Sequence, residues 1–137
     1  MKTNNYPSWL VSVEQAKKLK EIGFNEPCAF VLTNKDKIGF TTKGGNQYHL
    51  LEELDLNSNS KGSLVCVPAF EQVFEWFREK GLFHSICITD DLPHNVKFFE
   101  AEIRDSNADI ICILSSLTYE EAREALLNKL IEVYENK

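Results

Sequence analysis

Three histidines, His49, His84 and His94, are the side chains here best suited to move a proton near neutral pH. His94 stands in Asp90-Asp91-Leu92-Pro93-His94-Asn95. Two carboxylates beside an imidazole have the donors for a cation, but with no further ligands nearby the same residues read as a solvated hairpin tip bent by Pro and Asn. His49 stands in HLLEE, with Asp55 just beyond. A zinc hydrolase of the HExxH kind sets two histidines on one helical face; HLLEE supplies one. His84 alternates with Ile86 and Ile88 along FHSICIT, the place of a packed ring at the edge of a core. Nucleophilic catalysis would need a Ser or Cys, a base and an orienting acid together, and no local pattern supplies them.

The four cysteines, Cys28, Cys66, Cys87 and Cys112, lie far apart and form no CxxC pair. Each sits in an apolar, strand-like run, so they read as buried small hydrophobes in a reducing compartment rather than zinc ligands. Gly44-Gly45 is no phosphate cradle, because neither GxGxxG nor GxxxxGK[ST] occurs. The expectation is therefore no catalytic residue, no metal and no cofactor.

The elements follow from periodicity and stop signals. Ser12 caps a helix and Gln15 completes the capping box, with Val13, Ala16, Leu19 and Ile22 on one face. Gly23 ends the helix, and Phe24 falls where a Schellman ending brings an apolar side chain back to Leu19. Strands follow over residues 28–32 and 38–41. Residues 42–63 form a connection long enough to be functional or mobile. A short strand over 64–67 leads to Pro68, which opens a helix that Gly81 stops, with Leu82 reaching back to Phe77. The endings KEIGF and REKGL are thus one device used twice. FHSICIT, VKFFEAEI and DIICIL are strands joined by short turns, and Thr118 caps a last helix with Glu121 in the box position.

The order is α-β-β, a loop, then β-α-β-β-β-α. It implies an α+β domain, an antiparallel sheet with helices packed on it. We read residues 1–137 as a single domain with subunits 12–41 and 64–134 either side of the loop.

Phe70, Val73, Phe74 and Phe77 keep the i, i+3, i+4, i+7 spacing of a core stripe. Trp76 lies off its centre, a ring at the core edge and the one open to exposure. DIICIL is apolar on both faces, the signature of a strand inside a sheet or under a partner. Trp76, Ile111, Ile113 and Tyr134 are accordingly the residues expected at an interaction surface.

The 137 residues carry a formal charge of −6, a balance that opposes general binding to a phosphate backbone. No apolar run approaches the ~20 residues of a membrane span, and the start MKTNNYPSWL lacks a secretory apolar core. The expected setting is the cytoplasm, without a membrane.

Four stretches, SVEQAKKLKEIGF, IGFTT, VPAFEQVFEWFREKGL and TYEEAREALLNKLIEVY, resemble a group of small bacterial and phage proteins without an assigned activity. That resemblance implies a phage-associated lineage and a cytoplasmic setting, and no mechanism. The order α-β-β-β-α over residues 68–134 is similar to a double-stranded RNA-binding domain, which would place lysines at the start of its final helix. Tyr119-Glu120-Glu121-Ala122-Arg123-Glu124 stands there instead. Three strands and a final helix also resemble the HicB-type antitoxins, with SSLT in place of their glycine-rich link.

The leading expectation is a non-catalytic protein acting through protein–protein contacts, with itself as a homodimer or with another protein. The alternatives are an antitoxin-like, nucleic-acid-associated regulator and a hydrolase or small-ligand enzyme built on residues 42–63.

Overall fold

Helix α1 (Val13–Glu21) starts where the sequence sets a reciprocal cap. The Gln15 N–H donates to Ser12 Oγ at 3.2 Å, and the Ser12 N–H donates to Gln15 Oε1 at 3.1 Å. Two of the helix's orphan donors are thereby satisfied. Its end is a Schellman turn: Gly23 takes φ +99°, Phe24 N–H donates to Leu19 C=O at 2.9 Å, and Gly23 N–H to Lys20 C=O at 3.1 Å. The structure is a computed structural model, and it describes residues 7–26, 28, 30–32, 38–40, 65–91 and 93–137. The expected loop 42–63, with His49, lies outside the described residues, as do the turn after β1 and the end of the return strand.

The chain divides into two compact units, Met1–Phe70 and Glu71–Lys137. In the first unit, β1 (Phe30–Leu32) pairs antiparallel with β2 (Ile38–Phe40) on one side and with β3 (Val65–Cys66) on the other. The sequence-based division set residues 64–67 with the second half. The pairing of Val31 with Cys66 and Leu32 with Val65 puts β3 in the first unit instead. Backbone pairing across a long connection leaves no periodic trace, so local pattern could not choose its partner. Helix α1 lies against β3, and Ala16, Leu19, Phe24, Val31 and Cys66 are buried.

The segment before α1 has a task that was not foreseen. Leu10 bridges Ala69, Val11 N–H donates to Pro68 C=O at 3.0 Å, and Phe70 N–H donates to Trp9 C=O at 3.0 Å. The last bond satisfies a donor in the first turn of α2 (Phe70–Glu79) with backbone rather than with a capping side chain.

In the second unit α2 ends as α1 does. Gly81 has φ +84°, Leu82 N–H donates to Phe77 C=O at 2.9 Å, and Gly81 N–H to Arg78 C=O at 3.0 Å. Then β4 (Phe83–Asp91), β5 (Val96–Arg104) and β6 (Ile110–Ser116) make a meander of order β4-β5-β6. The long α3 (Tyr119–Glu135) folds back along β5 and β6 and less over β4. Thr118 Oγ1 accepts from the Glu121 N–H at 3.1 Å, as the cap predicts. The class is α+β, the pairing among the described strands is antiparallel, and the element order is the one read from the sequence. Among the described residues the strands form two three-stranded sheets.

Register fixes the two faces of the second sheet. His84 opposes Ile103, which opposes Cys112; Ile86 opposes Ala101, which opposes Leu114. This is the face toward α3, where Ala101 and Ile103 are buried with Leu126, Leu127 and Leu130 of the helix. Phe83, Ser85 and Cys87 of β4, Glu100, Glu102 and Arg104 of β5, and Ile113 of β6 take the outer face. The ladder slips between Ile103 and Arg104, where Arg104 pairs with Ile110 and Ile111 is the extra residue of a bulge.

Candidate functional site

Of the histidines, His84 and His94 are among the described residues, and they stand at opposite ends of the β4–β5 hairpin. His84 is half-buried, its ring 4.2 Å from that of Phe74, tilted by 30°. Burial pushes its pKa below the usual 6.5, helped by the Arg78 charge and opposed by Glu71. It is a packed ring at the core edge, as its alternation implies. His94 is exposed and its Nδ1 lies 2.8 Å from Asp91 Oδ2, a local pair at the hairpin tip next to Asn95 at φ +51°. Among the described residues no group of three or more His, Cys, Asp or Glu side chains could hold a metal ion. A cleft of about 280 Å³ beside Gly23 is lined by Lys20, Phe24 and Asn25 and carries an ammonium but no base.

The cysteines split. Cys28 and Cys66 are buried in the first unit, as expected. Cys87 is exposed and Cys112 half-exposed, against the reading of all four as buried. The reason is parity: Cys87 alternates with Phe83 and Ser85 onto the face away from α3.

The four residues expected at an interaction surface also split. Trp76 is only 4% exposed and belongs to the core rather than to a surface. Its ring packs against Tyr134 at 5.2 Å and Phe77 at 5.0 Å, and the Lys80 ammonium sits 5.2 Å from its centroid. Tyr134 is half-buried in the same cluster. The indole that helical spacing set off the stripe is covered because α3 brings Tyr134 over it, a contact between residues far apart in sequence. These two side chains hold α3 against α2.

Ile111 and Ile113 stand apart from that cluster, on β6, at 41% and 50% exposure; Ile110 beside them is at 51%. Phe83 of β4, on the same outer face, is at 42%. It was missed as a surface residue, although its alternation with Ser85 and Cys87 already placed it opposite His84. Strand β6 is the edge of its sheet: β5 pairs with one side, and among the described residues no strand pairs with the other. From Ile110 to Ser116 it carries no charged residue and no proline. The strand apolar on both faces is thus an edge strand. Edge strands are ordinarily blunted by charge, proline or a bulge, and β6 has the bulge alone, at its start.

Charge on the outer face is concentrated on the middle strand. Glu100 and Glu102 lie there with Arg104, whose Nε donates to Glu102 Oε1 and whose Nη1 donates to Ala108 C=O at 2.7 Å. At the start of α3, Glu120 and Glu121 occupy the first turn, where a phosphate-binding helix would present lysines. Among the described residues no helix is long and apolar enough to cross a membrane. No family model, no curated protein and no solved structure matches the chain.

Proposed function

We propose that this chain is a non-catalytic domain that works through protein–protein contact, with a second copy of itself as its first partner. The observation that carries the reading is β6, where Ile110, Ile111 and Ile113 stand 41–51% exposed on a strand whose outer side is unpaired among the described residues. Covering the exposed half of an isoleucine stabilises an interface by about 1 kcal/mol, so the isoleucines that meet and the backbone hydrogen bonds between copies together supply about 5 kcal/mol. Association must overcome lost translational and rotational freedom of similar size, which places the contact among reversible ones. The two described histidines, His84 and His94, share no constellation that assigns a reaction, and the acidic start of α3 disfavours the nucleic-acid alternative.

Sedimentation velocity over a concentration series is the test. The expected result is a reversible monomer–dimer shift that strengthens as salt screens the −6 charge on each copy. A monomer at every concentration and salt level refutes the self-association.

A further inference from the structure

Self-association through this sheet has two geometries open to it. Two outer faces can stack, or two β6 edges can pair. Stacking would bring Glu100 and Glu102 of both copies into one dry layer, with a single Arg104 in each to answer them. Burying an incompletely paired carboxylate is strongly unfavourable. Edge pairing leaves those carboxylates in water and consumes the N–H and C=O groups of β6 that are unpaired among the described residues, on a strand that brings no charge to oppose its twin. The other edge, β4, ends in Asp90 and Asp91, the acidic blunting that β6 lacks.

We infer that two copies join by antiparallel pairing of β6 with β6 about a two-fold axis through Ile113, making one continuous six-stranded sheet; this rests on the self-association proposed above. An isologous strand pair is self-complementary when the residues either side of its centre match. Centred on Ile113, the two Ile113 side chains meet on the outer face. On the inner face each Cys112 meets the other copy's Leu114. Both pairs are apolar, and the bulge at Ile111 falls outside this central stretch.

The helices fit the same axis. Helix α3 runs along β5 and β6. With strands about 4.8 Å apart, an axis over the middle of that pair lies about two strand spacings, roughly 10 Å, from its two-fold mate. Packed helices stand at about that distance. The flank turned to the mate is the one opposite Tyr134, where Ala125, Lys129 and Val133 recur at i, i+4, i+8 and all are half-buried. Lys129 Nζ donates to Glu132 Oε1 at 2.9 Å, and that bond raises its pKa. Ala125, near the middle of α3, is small enough for two helices to approach.

A charge-swap pair tests the axis. Ile113→Lys and Ile113→Glu are each made in the full chain, and folding is checked by circular dichroism. Each variant alone sets like charges opposite one another and is expected to weaken the dimer at least tenfold. An equal mixture is expected to restore a mixed dimer of near wild-type strength, since only at the two-fold centre does residue 113 face itself. Ile113→Cys, with Cys87→Ser and Cys112→Ser, asks the same without a charge: a short thiol-reactive bridge should link two copies there, and not through Val96→Cys at the far end of β5. A wild-type dimer that tolerates both charges, or that the mixture fails to restore, or that does not cross-link at position 113, overturns the edge register and leaves self-association standing. A wild-type monomer removes both.

Discussion

Gly23 and Gly81 offer a measurement of how firmly the repeated stop signal is fixed. Both take φ values of +99° and +84°, the left-handed region that a Cβ disfavours. At Gly23 an added Cβ meets nothing within 4 Å; at Gly81 its nearest neighbours are Ser106 Cβ and Oγ at 3.9 Å, an ordinary contact. Substitution by Ala is therefore a conformational perturbation with no steric clash. The left-handed position raises the energy of an L-residue by about 1–2 kcal/mol. The lower entropy of the unfolded Ala chain offsets about 0.4–1 kcal/mol of this. The net expected loss is about 1 kcal/mol for each variant, and a little less for Asn, which tolerates this region better. Urea unfolding followed by circular dichroism reads the loss as a lower midpoint at unchanged slope. Each glycine reports on its own unit, so Gly23→Ala and Gly81→Ala should lose similar amounts. A variant as stable as the parent would show that the Schellman turns are not held as described. A loss above about 3 kcal/mol would point to packing that the open space at these positions does not contain.

Three further outcomes follow from the same physics. Ala108 sits at φ +66° in the β5–β6 turn, its carbonyl held by Arg104, so Ala108→Gly should stabilise the chain by about 0.5–1 kcal/mol in the same urea assay. For His84 the folded pKa lies below the unfolded 6.5, so the unfolded chain binds its proton first as pH falls. Wild-type stability should thus be undiminished above pH 6.5 and decline as pH drops below it, whereas His84→Leu should show a flatter profile across that window; equal slopes would sink the assignment. Finally, duplex RNA or DNA at low salt should produce no mobility shift, given Glu120 and Glu121 at the start of α3, and a salt-sensitive shift would revive the antitoxin-like alternative.

Local chemistry was legible without coordinates. The Ser12–Gln15 box, the Thr118 cap and the two Gly-plus-apolar endings all act within six residues, and all four appear as read. The nine elements among the described residues and their order also follow from periodicity, because a core-facing stripe must repeat at the period of the element that carries it. The face of each β4 residue was likewise fixed by alternation, including Phe83 and Cys87, although alternation alone could not say which face is wet.

Tertiary structure decided what depends on contacts between distant residues. It paired β3 with β1, assigning that strand to the first unit, and it set Trp9 C=O at the start of α2. It brought Tyr134 onto Trp76, turning an indole expected near the surface into core. It placed the apolar strand DIICIL at an edge, where the same residues that would have filled an interior face the solvent. A sequence specifies which residues must leave water; which neighbour removes them is a property of strand order and helix placement, and those are set by the packing energy of the whole chain.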